Sequence, residues 1–351
     1  MTHCPACHQA FIEPASVPWH CPHCQRCVLG RYCDLQWIGG GGMGDVYRAI
    51  QPDMGARVVA IKIPKTSEPM LRSRFEREIA ASARLEHPNI VRAYDRNDHA
   101  GWSYLVTEFV EGKLLTDLVQ SEHPLPAGRV ARLLAGVARG LAHAEGRGIV
   151  NRDIKPENIL VDVKQDMAKI LDYGLAHIAD LDGNMGHVTR SGALLGTPSY
   201  MAPEQAKDAH GVTIAADVYS LGCTLFYCLV GRPPYLGPSL AELLHQHAKA
   251  PRPVLGRFRK DIPDELQTLL TQMMSVDPRR RPPPAETARR LEELGVRLGT
   301  ATARSAPGTD GMVETVCPSC GEVYRVRADT VGRSMPCPNS LCRRRFTIAI
   351  G

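Results

Sequence analysis

The stretch Asn151-Arg152-Asp153-Ile154-Lys155-Pro156-Glu157-Asn158 brings a carboxylate, an ammonium and an amide carbonyl close together, and Asp172 follows in Asp172-Tyr173-Gly174. Moving a γ-phosphoryl from a nucleotide to a hydroxyl needs a group that orients the hydroxyl, cations against the triphosphate, and oxygen ligands for magnesium. Asp153, Lys155, and the pair Asn158 and Asp172 could supply these in that order. The spacing, with the lysine two residues and the asparagine five residues after the aspartate, is specific.

Groups of this kind need a scaffold. Leu35-Gln36-Trp37-Ile38 reads as a strand, and the chain then turns through Gly39 to Gly44 and returns as another. Gly39, Gly41 and Gly44 have the G-x-G-x-x-G spacing, which lets backbone N–H groups lie over phosphates without interference from a Cβ. Alone, that motif is weak. The residues that follow, Val46 and Tyr47, are β-branched and aromatic, so the context is strand-turn-strand and not the strand-turn-helix of a dinucleotide fold. Val59-Ala60-Ile61-Lys62 is a short apolar strand ending in an ammonium, costly against an apolar interior unless something anionic meets it. A helix is expected from Ser73 to Leu85, anchored by Phe75, Ile79 and Leu85 and offering Glu76 and Glu78 to Lys62. Tyr104 to Val110 reads as a strand entering a linker. Ala127 to Arg147 carries Val130, Leu133, Leu134, Val137 and Leu141 at helical spacing and should be the core helix that leads to the Asp153 loop.

Taken together, these marks resemble the protein kinase family, specifically the bacterial, eukaryotic-like serine/threonine branch, over roughly Arg31 to Leu298. The resemblance implies an α+β, two-lobed fold with a β-rich N-lobe and a mainly α-helical C-lobe. It implies ATP, magnesium (or manganese) and protein substrates, with Asp153, Lys155, Lys62 and Glu78 as the catalytic set. The nucleotide would lie against Ile38, Gly39, Gly41, Gly44, Val46, Ala60, Lys62 and Leu160. Thr107 would sit at the back of that pocket, with Glu108 and Val110 giving main-chain contacts. Asn158 and Asp172 would hold the magnesium. Gly196 to Glu204 resembles the segment that docks the substrate, with Thr197 in it, and its pairing with Lys155 points to serine or threonine as acceptor. Arg152 beside Asp153 implies a phosphate on the activation loop, for which Thr189 and Ser191 have the spacing of paired autophosphorylation sites. Asp217 to Gly222 opens an apolar helix, and Arg281 is expected to pair with Glu204. Two residues depart from the family pattern: Asn151 stands where a histidine is usual, and Tyr173 where a phenylalanine is usual. Asparagine keeps a donor and an acceptor. No residue that carries charge or metal is missing, which argues against the alternative of a pseudokinase scaffold or adaptor.

Eight of the 12 cysteines fall in four closely spaced pairs that mark the two ends. Cys4-Pro5-Ala6-Cys7 and Cys21-Pro22-His23-Cys24, with thirteen residues between, can bring four thiolates onto one zinc ion. His3, His8, His20 and His23 are substitute ligands, and Cys27 could form an alternative knuckle with Cys24. Cys317, Cys320, Cys337 and Cys342 repeat the pattern with one widened knuckle. Both modules resemble zinc ribbons with closed, structural sites. The second is rich in arginine, which would suit an acidic protein segment or nucleic acid, against the plainer reading of a solvated charged face. The expected layout is therefore a ribbon at 1–29, the kinase domain at 30–298, a linker rich in Ala, Thr, Gly and Ser at 299–312, and a second ribbon at 313–351. Of the 351 residues 44% are hydrophobic and 23% charged, ordinary for a globular chain, and a net charge of +5 is too mild for a surface dedicated to nucleic acid. With no apolar run long enough to span a membrane and no secretory leader pattern, a cytoplasmic protein is expected.

Overall fold

The computed structural model describes residues 2–11, 18–41, 44–65, 69–99, 102–173, 198–206 and 212–301, and in the tail 312–316, 323–327, 330, 333–337 and 345–347. Thr189, Ser191, Thr197, Cys317, Cys320 and Cys342 lie outside the described residues. The chain divides into two compact units, Met1–Glu111 with Leu171–Leu195, and Gly112–Ile170 with Gly196–Gly351.

In the first unit β1 (Thr2–His3) and β2 (Ala10–Phe11) pair with each other. A second, seven-stranded sheet contains β3 (Trp19–His20), β4 (Cys27–Leu29), β5 (Tyr32–Gly40), β6 (Gly44–Gln51), β7 (Arg57–Pro64), β8 (Ala93–His99) and β9 (Trp102–Glu108). Its order is β3-β4-β5-β6-β7-β9-β8, with antiparallel neighbours throughout. The residue 29/30 boundary expected between ribbon and kinase domain falls inside this sheet. Leu29 pairs with Tyr32 across a turn in which Gly30 has φ of 52°, a left-handed conformation that glycine adopts without strain.

Side-chain alternation along β7 explains the layering. Val59, Ile61 and Ile63 face one side, buried with Leu29, Tyr32, Leu35, Ala49 and Val106, so Lys62 must project from the other. On that other side β9 places Leu105 opposite Lys62 in register, and α1 (Pro69–Ser82) packs Phe75 and Ile79 onto Leu105. The helix starts four residues before the expected Ser73, with Pro69 in its first turn, where a missing N–H costs nothing. Leu85 is buried as expected, but in the turn that follows the helix.

The second unit is mainly helical. β10 (Gly112–Leu114) leads into α2 (Leu115–Glu122) and α3 (Ala127–Glu145), and β10 pairs with β11 (Ile159–Asp162), which pairs with β12 (Met167–Ile170). Val130, Leu133, Leu134, Val137 and Leu141 of α3 are all buried, as their spacing predicts. α4 (Ile214–Val230) is buried on every side from Ala216 to Leu229, the pattern of a central core helix, and Gly231 at φ 80° caps its end. Cys223 and Cys228 are core residues of this helix. α5 (Leu240–Lys249), α6 (Asp264–Met273) and α7 (Pro284–Ala301) follow, and in the tail β13 (Met312–Val316) pairs with β14 (Val323–Arg327) and β15 (Ser334–Pro336) with β16 (Arg345–Thr347).

The expected pairing of Arg281 with Glu204 is present: the wholly buried guanidinium donates to both carboxylate oxygens, Nη2 to Oε2 at 2.8 Å, and to the carbonyls of Ser275 and Ala215. Removing one partner of such a pair strands the other charge. Arg281→Leu should lower the unfolding free energy by ~3–5 kcal/mol, read from denaturant melts; a loss below about 1 kcal/mol would show that Glu204 finds water instead.

Candidate active site

In the first unit the site is built on a buried ammonium. Lys62 Nζ donates to Glu78 Oε1 at 2.7 Å and to Asp172 Oδ2 at 2.9 Å. Period-two alternation on β7 aims Lys62 away from the apolar layer, and the packing of Phe75 and Ile79 on Leu105 turns Glu78 of α1 towards it. Glu76, the other candidate, lies on a different face and meets Arg96 at 3.3 Å. Burial opposes the charge on Lys62, but Asp172 and Glu78 outweigh it and hold the ammonium above the usual lysine range. Glu78 gives way instead. Burial pushes its carboxyl up to about 7, against the pull of Lys62.

The glycines of the β5–β6 hairpin serve different ends. A Cβ at Gly44 would lie 2.5 Å from the Ile63 carbonyl oxygen, so packing alone requires glycine there. At Gly39 and Gly41 a Cβ would meet nothing within 4 Å among the described residues, and neither has positive φ. Glycine at those two positions leaves the backbone bare where a phosphate group would approach. Val46 pairs with Lys62, and Ala60 with Thr107, so these expected nucleotide contacts are neighbours in one sheet, while Ile38 is half exposed near the end of β5. The Glu108 N–H donates to the Arg92 carbonyl at 2.9 Å, so the group Glu108 offers a ligand is its carbonyl, which also accepts from the Thr107 hydroxyl. Val110 is half-buried just beyond β9.

In the second unit the loop between α3 and β11 holds Asp153, Lys155 and Asn158 together. Lys155 Nζ donates to Asp153 Oδ2 at 2.9 Å, and Asn158 Nδ2 to the same oxygen at 2.8 Å and to the Asp153 carbonyl at 2.9 Å. With its amide N–H groups committed to Asp153, Asn158 offers its carbonyl oxygen to a cation. Leu160, half-buried, follows in β11. The backbone of the loop is held by Asp217 of α4, fully buried, which accepts from the N–H of Asn151 at 2.8 Å and of Arg152 at 2.7 Å. Burial pushes the Asp217 carboxyl up to about 7 in spite of those bonds. A carboxylate beside an ammonium and an amide is suited to orient a hydroxyl and accept its proton, and the Lys62 group is suited to hold a polyphosphate.

Residues 32–290 match the protein kinase domain family. The chain belongs to the protein kinase family. Over 291 residues this protein kinase is 35% identical to the serine/threonine-protein kinase pkn2 of Myxococcus xanthus, covering 80% of this chain and 34% of that protein. It is 37% identical over 282 residues to the DNA damage-responsive serine/threonine-protein kinase RqkA of Deinococcus radiodurans (79% and 41%) and 34% identical over 268 residues to the serine/threonine-protein kinase PrkC of Bacillus subtilis (76% and 40%). The chain spans about a third to a half of the length of the curated relatives it matches. A crystal structure of Rad53 residues 1–466 in complex with AMP-PNP shares the fold, with a TM-score of 0.59 at 24% identity over 74% of this chain and 65% of that one.

Outside the kinase core, the first cysteine module forms a candidate metal centre. The Sγ atoms of Cys4, Cys7, Cys21 and Cys24 all lie within 4.8 Å of one another, with Cys4 to Cys24 and Cys7 to Cys21 each at 3.8 Å. A tetrahedron with zinc–sulfur bonds of ~2.3 Å has edges of about 3.8 Å, so the donor set fits zinc. The two knuckles repeat each other: the N–H groups of His8 and Gln25 donate back to the carbonyls of Cys4 and Cys21, with φ of 61° and 60°. The four histidines are exposed or half-buried outside the cluster, and Cys27 lies in β4, also outside it. Of the second module, Cys337 is described: it is buried, with its Sγ 3.2 Å from the Tyr324 hydroxyl.

Two features escaped the sequence. The spacing gives no sign that Asp172 shares Lys62 with Glu78. Gln205, which follows the docking segment, donates to the Arg152 carbonyl at 3.0 Å and accepts from the Ala202 N–H at 2.9 Å; its only signal was a polar residue at a buried position, which a sequence does not display.

The raised Glu78 value has consequences of opposite sign for stability and function. The folded state takes up a proton at Glu78 between the ordinary carboxyl value of 4.5 and about 7, so this group favours folding most at low pH and loses that contribution as pH rises towards 7. If Lys62 is to hold the phosphates of a nucleotide, it needs the opposite state, because the Glu78 carboxylate fixes the position of the ammonium. A protonated Glu78 would leave Lys62 charged but less firmly held, so KM for ATP is expected to rise as pH falls through about 7; a KM that is flat from about pH 6 to 8 would show that the pair stays ionised.

Proposed function

We propose that this chain is an ATP-dependent protein serine/threonine kinase. The observation that carries the reading is the hydrogen-bonded set Asp153, Lys155 and Asn158. In this reading Asp153 orients the acceptor hydroxyl and takes its proton, and Lys155 neutralises charge on the transferring phosphoryl group. Lys62, fixed by Glu78, meets the nucleotide phosphates under Gly39, Gly41 and Gly44. Asn158 and Asp172 hold magnesium, or manganese, which supplies charge neutralisation at the phosphates. Ile38, Val46, Ala60, Thr107, Glu108, Val110 and Leu160 contact the nucleoside, and Thr197 docks the acceptor. Thr189 and Ser191 are autophosphorylation sites whose phosphate pairs with Arg152. In support, Arg152 Nε is buried without a hydrogen-bond partner among the described residues, and burial pulls the guanidinium below its usual range in spite of the Asp217 carboxylate, so a further anion there would favour its charge.

We propose the order of modules expected from sequence, with the first ribbon continuing through β4 into the seven-stranded sheet and the linker confined to the residues between α7 and β13, with zinc on Cys4, Cys7, Cys21 and Cys24 and a second zinc on Cys317, Cys320, Cys337 and Cys342. Among the described residues no helix is long and apolar enough to cross a membrane. We place the protein in the cytoplasm, with the basic tail module as a contact for protein or nucleic acid.

Purified wild type incubated with labelled ATP and magnesium should phosphorylate itself at Thr189 or Ser191 and modify a generic protein acceptor, and Asp153→Asn should abolish both. A wild type that binds ATP but transfers nothing to either acceptor would overturn the assignment. For the metal, Cys21→Ser should lose one equivalent of zinc and lower the melting temperature, because the knuckle core of Trp19, Val28 and Cys33 is continuous with β5 and with Ile50 of β6. Equal zinc contents in mutant and wild type would remove the first cysteine module as a metal site.

A further inference from the structure

Asp153 sits at the third position of a turn whose three successive backbone N–H groups are all taken by side chains. Asp217 accepts from Asn151 and Arg152, and Asn151 Oδ1 accepts from the Asp153 N–H at 3.1 Å. The turn is a demanding one. Arg152 has φ of 68°, a left-handed conformation that a long side chain adopts only when its surroundings enforce it. Its carbonyl is held by Gln205 Nε2, and Gln205 is itself held by the Ala202 N–H. Asn151 is wholly buried and Gln205 nearly so, so neither amide can exchange these bonds for water.

We propose that Asn151 is a positioning residue for the proposed base: its carboxamide oxygen caps the Asp153 N–H and, with Gln205 closing the other end on the Arg152 carbonyl, fixes where the Asp153 carboxylate points. The inference rests on the kinase reading. An asparagine side chain has the right reach for a bond to the N–H two residues on, the geometry of an Asx turn. His87 makes the same bond in this protein, its Nδ1 accepting from the Asn89 N–H at 3.1 Å. A histidine and an asparagine can therefore fill the same structural office, and the departure at residue 151 leaves the loop capped.

The test compares Asn151→Ala with Asn151→Ser, which differ by a single oxygen able to accept from the N–H two residues on. Each is scored as kcat per ATP-binding site, with sites counted by nucleotide titration, alongside KM for ATP and the melting temperature. The alanine variant should turn over about tenfold more slowly per site than the serine variant, with KM for ATP unchanged in both. A merely structural role would lower the number of sites or the melting temperature and leave kcat per site equal in the two. Equal kcat per site therefore overturns the proposal, whether both are active or both impaired. Gln205→Glu, which keeps the bond from Ala202 and loses the one to Arg152, covers the case in which the alanine variant does not fold. It should lower kcat per site severalfold, and wild-type turnover there would overturn the clamp. Failure of the kinase reading itself shows separately, as absence of transfer by the wild type.

Discussion

A lysine ammonium shut away from water has to be met by carboxylates, and much of the first unit follows from that requirement at Lys62. The strand that carries it must be central enough to bury Val59, Ile61 and Ile63 on one face, which sends Lys62 to the other. The neighbouring strand must put an apolar residue beside it for a helix to land on, and Leu105 does so. The helix must then land in the one rotation that brings Glu78 and not Glu76 to the ammonium. Coulombic attraction in a low-dielectric setting is strong, but so is the desolvation it has to overcome. The balance shows in Glu78, whose carboxyl is raised to about 7 while Lys62 stays charged.

The second unit solves a different problem by different means. Its loop from Asn151 to Asp153 has no regular backbone pairing, so side chains from α4 and from the segment after Ala202 stand in for a ladder. Asp217, Asn151 and Gln205 between them bind three N–H groups and one carbonyl of the turn from Asn151 to Asp153. Such a network is rigid only while every member is satisfied, and all three amide or carboxylate side chains are buried. The strain at Arg152 is the counterpart of that rigidity: the turn is a shape the chain would not take alone.

The sheet is continuous across residue 30, so the first cysteine module and the strands beyond it share one hydrogen-bonded layer. β4 pairs with β5, and β5 with β6, whose intervening hairpin contains Gly39 and Gly41. Trp19, Val28 and Cys33 share one small core with the four thiols, and Ile50 packs on it. A core of that size has little apolar area to offer, and a tetrahedral metal is the usual way for so small a module to hold its shape.

The sequence by itself determined the candidate residues and most of the elements. Asp153, Lys155, Asn158, Asp172 and Lys62 were legible because packing alone seldom sets charged side chains at such fixed intervals beside apolar strands, and α3 and β7 because their apolar periods are unambiguous. The helix carrying Glu78 was legible in kind but not in its first turn, since a proline at the start of a helix and one in a loop look alike in a string of letters. Tertiary structure alone decided what crosses long separations: that Asp172 joins Glu78 on Lys62, that Asp217 and Gln205 hold the turn before Asp153, and that a cysteine module extends the seven-stranded sheet. The physical reason is common to all three. Hydrophobic periodicity and turn chemistry are local and are written into neighbouring residues, whereas a buried polar group takes its partner from whatever the packed chain brings within hydrogen-bond reach, here from as far as 110 residues away.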